Sequence, residues 1–223
     1  MTSGYRLNPH DIFDVSDGTA DSFVVLIVEV RKAFLSPSYG CSFHATSAHH
    51  ETGIFQSNPS FDYSISTLTS YLEAFLGKLN SFLYLFNESD LRTNFQYFVL
   101  TNGCLPGPGS VPELYLVLAL GAKLSSPDFT KAYLDLYSQT RICLSNGKWG
   151  NNLWVMRMLA LLSFCHCDDI HEIDDQSCHY LNLALRVGKA IGVDEHDLPL
   201  AALDETERSH WLRVWDSLRF LHS

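Results

Sequence analysis

From about residue 67 onward, apolar positions recur at three- and four-residue steps, the repeat that lines one face of an α-helix. In the first such stretch Leu68, Tyr71, Leu72, Phe75, Leu76, Leu79, Phe82, Leu83 and Phe86 fall along one broad stripe. Asn87 follows as an N-cap for a helix through Phe98, because its side-chain oxygen can accept from the open N–H groups of a first turn. The run GCLPGP over 103–108 then breaks the chain. Ser110 with Glu113 three residues later has the spacing of a capping box ahead of an apolar helix over 114–124. Pro112 sits in the first turn of that helix, where its missing N–H does no harm. Ser126 and Pro127 open the next helix, which Gly147 is placed to end. Two more are predicted over 152–167 and 174–191, the second closed by Gly192 as a left-handed C-cap. Asp204 and Glu207 repeat the capping-box spacing before a last helix that is still running at residue 223.

Residues 1–64 read differently. The segment 23–35 (FVVLIVEVRKAFL) is apolar and β-branched, compatible with a strand or a buried helix. Residues 36–64 are rich in Ser, Gly, Pro, His and Thr without sustained period and read as a linker. The expected organisation is therefore an irregular N-terminal segment over 1–64 with one apolar element at 23–35, then a helical domain over 65–223. With no hairpin signal and no βαβ rhythm, the fold class is all-α: a multi-helix bundle or array of consecutive antiparallel helices. Two stretches, 153–164 and 180–191, are apolar on more than one side and are expected to lie between neighbours. Trp211 and Trp215, four apart, share a face of the last helix and are expected to anchor it.

Composition narrows the function. A chain of 223 residues with 46% apolar and 18% charged residues can bury a core of its own. Its formal charge of −10, from 25 acidic against 15 basic residues, comes with no basic block, so direct DNA binding by these residues is not expected. The cysteines (Cys41, Cys104, Cys143, Cys165, Cys167 and Cys178) are scattered, mostly in apolar runs, and no leader peptide is expected ahead of them. A disulfide framework is not expected, and a reducing, intracellular setting is. The longest apolar stretch, 153–167, is interrupted by Arg157, so no membrane span is expected.

Candidate chemistry is sparse. Asp168-Asp169-x-x-Glu172 has the form of an aspartate-rich magnesium–diphosphate motif. An all-α Mg-dependent isoprenoid diphosphate enzyme using Asp168, Asp169 and Glu172 is the alternative reading. Such a site needs a second carboxylate cluster facing the first, which the sequence does not supply; an acidic interhelical loop accounts for the motif. Cys165, His166, Cys167, His171, Cys178 and His179 have zinc-ligand residue types, but a C-x-C pair on a helix splays its two sulfurs apart. His44, His49 and His50 fall in the linker. Nucleophile-elbow, metalloprotease, phosphate-loop and dinucleotide fingerprints are absent from the sequence, and catalysis finds no positive support there.

Four segments taken together resemble a known family. Residues 71–95 (YLEAFLGKLNSFLYLFNESDLRTNF), 112–122 (PELYLVLALGA, ending in A-x-G-A), 180–193 (YLNLALRVGKAIGV) and 207–217 (ERSHWLRVWDS) are similar in order and spacing to the regulatory domain of fungal zinc-cluster transcription factors. That domain is also called the middle homology region or xylanolytic activator regulatory domain. Residues 35–43 resemble the loop upstream of it. The chain departs from the family pattern at Gly188, for the usual alanine, and at Asp194, Trp211 and Asp216; the proline usual after Leu85 is missing.

The resemblance implies a non-catalytic regulatory module that acts in RNA polymerase II transcription in the nucleus. It implies no catalytic, cofactor or metal residue in this chain. Zinc and direct DNA contact would reside in a six-cysteine module that the chain lacks. It also implies protein partners met through helix–helix contacts, with room for a homodimer and for a small-molecule effector between helices. Since family members continue further, the helical domain is expected to be C-terminally incomplete.

Overall fold

A computed structural model describes residues 63–105, 110–125, 130–146, 153–166, 175–193 and 203–222. The expected N-terminal segment, its apolar element at 23–35, and the helix signals at Ser126, Pro127 and Gly147 lie outside the described residues.

Ser64 holds an extended backbone (φ −65°, ψ 151°) and its hydroxyl accepts from the Thr67 N–H at 3.1 Å, which starts α1 (Ile65–Phe75) two residues before the apolar repeat suggests. Leu68, Leu72 and Phe75 of α1 are buried. The helix then widens into a π-helical turn (Leu76–Asn80) before one last α turn (Ser81–Leu83). Five residues at the wider π pitch rotate everything beyond them by roughly a quarter turn. The stripe read from the sequence is corrected accordingly: Asn80 turns inward, whereas Phe82, expected on the buried face, is 60% exposed.

Buried Asn80 fastens the connection that follows. Its Nδ2 donates to the Phe86 carbonyl at 3.0 Å and its Oδ1 accepts from the Phe86 N–H at 2.8 Å. Its own carbonyl accepts from the Tyr84 N–H at 2.8 Å, which helps hold Tyr84 in the left-handed region (φ 52°). Asn87 caps α2 (Glu88–Leu100) as predicted, accepting from the Ser89 N–H at 3.0 Å. The helix buries Leu91, Phe95 and Phe98 and ends at Asn102 and Gly103, both at positive φ.

Helix α3 (Ser110–Ser125) is buried at every position from Pro112 to Ala122, so it has no solvent face over three turns and forms the centre of the core. Packed around it are α1, α4 (Thr130–Asn146) and α5 (Leu153–His166). Its contact with α1 is backbone to backbone. A Cβ placed on Gly121 would lie 1.9 Å from the Tyr71 carbonyl oxygen, so only glycine lets the two helices approach this closely.

Helix α5, buried at Val155, Met156, Cys165 and throughout 158–163, packs on α6 (Asp175–Ala190). The expectation that 180–191 is apolar on more than one side is corrected: Cys178, His179, Asn182, Arg186 and Lys189 make an exposed stripe, and only the opposite face is buried. The all-round buried partner of α5 is α3.

Gly192 (φ 76°) closes α6 as expected. The Val193 N–H donates to the Gly188 carbonyl and the Gly192 N–H to the Lys189 carbonyl, the paired bonds of a Schellman cap. Gly192→Ala keeps these bonds only by holding alanine at positive φ. A loss of about 1 kcal/mol is expected, read as a lowered urea midpoint at unchanged m-value.

Asp204 caps α7 (Glu205–His222) through the Glu207 N–H at 2.8 Å. Trp215 is buried, its ring set into the space left by Gly188 beside Met156, and Trp211 is partly buried on the same side, the anchoring expected of the pair. The described residues are all-α, with packed helices and no strand among them.

Candidate functional site

Helix α5 carries one arginine, Arg157, in an otherwise apolar middle, and α3 carries one carboxylate, Glu113, in its buried stretch. Lone charges in such surroundings cost several kcal/mol each unless they are paired and hydrogen-bonded. Here they meet. Arg157 Nε donates to Glu113 Oε1 at 2.7 Å and Nη2 donates to Oε2 at 2.8 Å, a two-pronged pair whose side chains are only 14% and 10% exposed. The capping-box spacing assigns Glu113 to Ser110; its principal role is instead this buried pair, 44 residues away in sequence.

The rest of the guanidinium is also enclosed. Nη1 points to the Leu85 carbonyl at 3.4 Å. The Phe86 ring centroid lies 4.2 Å from the guanidinium carbon and the Trp211 centroid 4.8 Å, so two aromatic rings stack against the cation. Phe86 is held in place by the two bonds from Asn80 and by an edge contact with Phe75 at 5.9 Å. Arg157 thus joins α5, α3, α7 and the connection into α2 at one point.

His210 lies beside this cage on α7, its ring edge-on to Trp211 at 5.6 Å. Burial, and then the neighbouring Arg157 charge, push its pKa below the usual imidazole value; a hydrogen bond to the Leu85 backbone and the Asp90 charge oppose the shift, and Arg213 adds to it. Next to the cage opens a cleft of about 250 Å³ where the N-terminal turns of α2, α3 and α7 come together. Its polar wall includes Asn87, Asp90, Glu113, Arg157, Glu207 and His210.

The candidate metal and nucleophile residues of the sequence fall elsewhere. Asp168, Asp169, Glu172, Cys167 and His171 lie outside the described residues, as do His44, His49 and His50. Of the Cys/His cluster, Cys165 is buried, and burial pushes its thiol pKa up to about 12, far from a reactive thiolate. His166 Nε2 is 3.1 Å from the Tyr137 hydroxyl, and its ring stacks on Tyr180 at 5.0 Å. Cys178 and His179 sit on the exposed stripe of α6. Among the described residues no group of three His, Cys, Asp or Glu could hold a metal ion, and no helix is long and apolar enough to cross a membrane.

Arg157, Glu113, Phe86 and His210 form a group that no motif in the sequence marks. A signal for its centre is nonetheless present: a single cation and a single carboxylate, each set in an apolar helical stretch, are each other's natural partners.

These features define an all-α protein whose central helices are tied to a peripheral helix by a caged arginine. Compared with family models, with curated proteins and with solved structures, the chain matches none.

Proposed function

We propose that this chain is a non-catalytic regulatory domain of a fungal zinc-cluster type of transcription factor, acting in the nucleus through protein contacts. Zinc and DNA would then be bound by a module outside these residues, and any small-molecule effector would be held between the helices. The reading rests on the resemblance of the four segments, and the observation that carries it is the part those segments play in the fold. Phe86, Glu113 and Trp211 come from three of them and all meet at Arg157. Gly121 of the A-x-G-A run meets Tyr71 of the first segment, and Gly188 of the third meets Trp215 of the fourth. Residues that carry a resemblance through helix-to-helix contact suit a relay between packed elements better than bond-making. Gly188, a departure from the usual alanine, has a local cause: a Cβ there would lie 2.4 Å from the Trp215 ring.

The test places the chain between an unrelated DNA-binding domain and an activation segment in a yeast reporter strain. A several-fold change in reporter output is expected, reversed by Arg157→Met. An unchanged output at equal protein level contradicts the proposal. Specific binding of a DNA duplex by the purified chain at moderate salt would contradict its regulatory-only form.

A further inference from the structure

Helix α7 touches the bundle at intervals from Trp211 to His222. Trp211 lies on Arg157, Trp215 against Gly188, Phe220 edge-on to Phe82 at 6.1 Å, and His222 Nε2 is 2.6 Å from Asn182 Oδ1. The first of these contacts is also where His210 is held. The charged groups around it are Arg157 from α5, Glu113 from α3, Asp90 from α2, and Glu207 and Arg213 from α7 itself. His210 is partly buried in this setting, beside the Leu85 backbone, which opposes the lowering of its pKa and whose carbonyl also faces Arg157 Nη1.

A proton added to the imidazole places a second cation next to Arg157. Both Glu113 oxygens are already engaged by Arg157, so an imidazolium would have to share a carboxylate whose charge that pair already balances. Asp90 and Glu207 are exposed, and water and salt screen what they could return. The charge would be relieved by moving His210, and with it Trp211, out to solvent.

We propose that protonation of His210 releases helix α7 from the Arg157 cage, so that α7 is a pH-dependent latch over the cleft. This device is independent of what the chain regulates. The depressed pKa of the docked imidazole agrees in sign. A histidine whose pKa is lower docked than free stabilises docking fully above the ordinary histidine range, and that stability is lost as the pH falls through the lowered docked value. The opening equilibrium rises about tenfold for each unit by which docking depresses the pKa.

Fluorine NMR of the full chain labelled with 5-fluorotryptophan tests this, with one signal for each of the four tryptophans. Between about pH 7.5 and pH 5, which brackets the ordinary histidine range, the Trp211 signal is expected to shift to a solvent-exposed position. Its midpoint should coincide with that of the His210 imidazole followed by carbon–proton NMR, while Trp154 stays in place. His210→Gln, which keeps a side-chain N–H but cannot charge, should remove the Trp211 transition. A fixed Trp211 signal, the same transition in His210→Gln, or movement of all four signals together overturns the proposal. Should His210→Gln fail to fold, the wild-type midpoints decide, and separate midpoints overturn it.

Discussion

Gly121→Ala is expected to abolish cooperative folding, or at the least to cost more than about 3 kcal/mol. The added Cβ would sit 1.9 Å from the Tyr71 carbonyl oxygen and 2.5 Å from its carbonyl carbon, and both belong to the backbone of α1. No rotamer change relieves such a clash. The helices must part by roughly an ångström or more to restore ordinary contact distances. Because α3 is buried on every side from Pro112 to Ala122, moving it disturbs α4 and α5 as well. Alanine is the better helix former by about 1 kcal/mol, a gain too small to offset the separation. Gly77→Ala is the control, because a Cβ there meets nothing within 4 Å. Urea unfolding followed by circular dichroism should place Gly77→Ala at or above the wild-type midpoint. Gly121→Ala should lose the transition or shift it far downward.

Arg157→Met is expected to destabilise by about 3–5 kcal/mol, because it leaves the Glu113 carboxylate buried without a partner. Methionine refills the apolar part of the side chain, so the loss reports the stranded charge more than a cavity. The second half of the test separates charge from packing. If Glu113→Leu is added to Arg157→Met, both charges leave together and most of the lost stability should return. The double variant should then be more stable than either single one, with a coupling of several kcal/mol in a double-mutant cycle. Additive losses would mean that the pair has no joint role. By contrast, the exposed pairing of Arg92 with Glu73 and Glu88 across α1 and α2 is screened by water and contributes at most about 1 kcal/mol.

The elements are readable in the sequence wherever local chemistry decides them. Asn87, Asp204 and Gly192 end or begin their helices by bonds to residues within five positions, and that is the range a sequence motif encodes. Trp211 and Trp215 are legible for the same reason, since a four-residue step fixes a shared face. The features that escape a sequence reading depend on partners far along the chain. Nothing local in 76–80 announces a π-helical turn; it follows from Asn80 reaching Phe86 and from α1 meeting α3 at Gly121. A regular helical period therefore puts Phe82 on the wrong side.

Glu113 matches a local motif, and that match hides its distant partner. Arg157 stands out in the sequence as a break in an apolar run, a lone cation whose need of a partner is legible but whose partner no motif names. For 180–191 the difference is one of period: the apolar residues are dense, yet Asn182, Arg186 and Lys189 keep a continuous polar edge at helical spacing. The cleft and His210 depend on three helix starts converging, which no single segment encodes.

Amide hydrogen exchange across the whole chain tests the central physical claim, that α3 and α5 form the shared interior on which the other helices, α7 included, are docked. The account predicts the slowest exchange in α3 from Pro112 to Ala122 and in α5, at the limit set by global unfolding, with α7 opening at lower free energy. Exchange of α3 as fast as that of α7, or protection of α7 that outlasts α3, would contradict it.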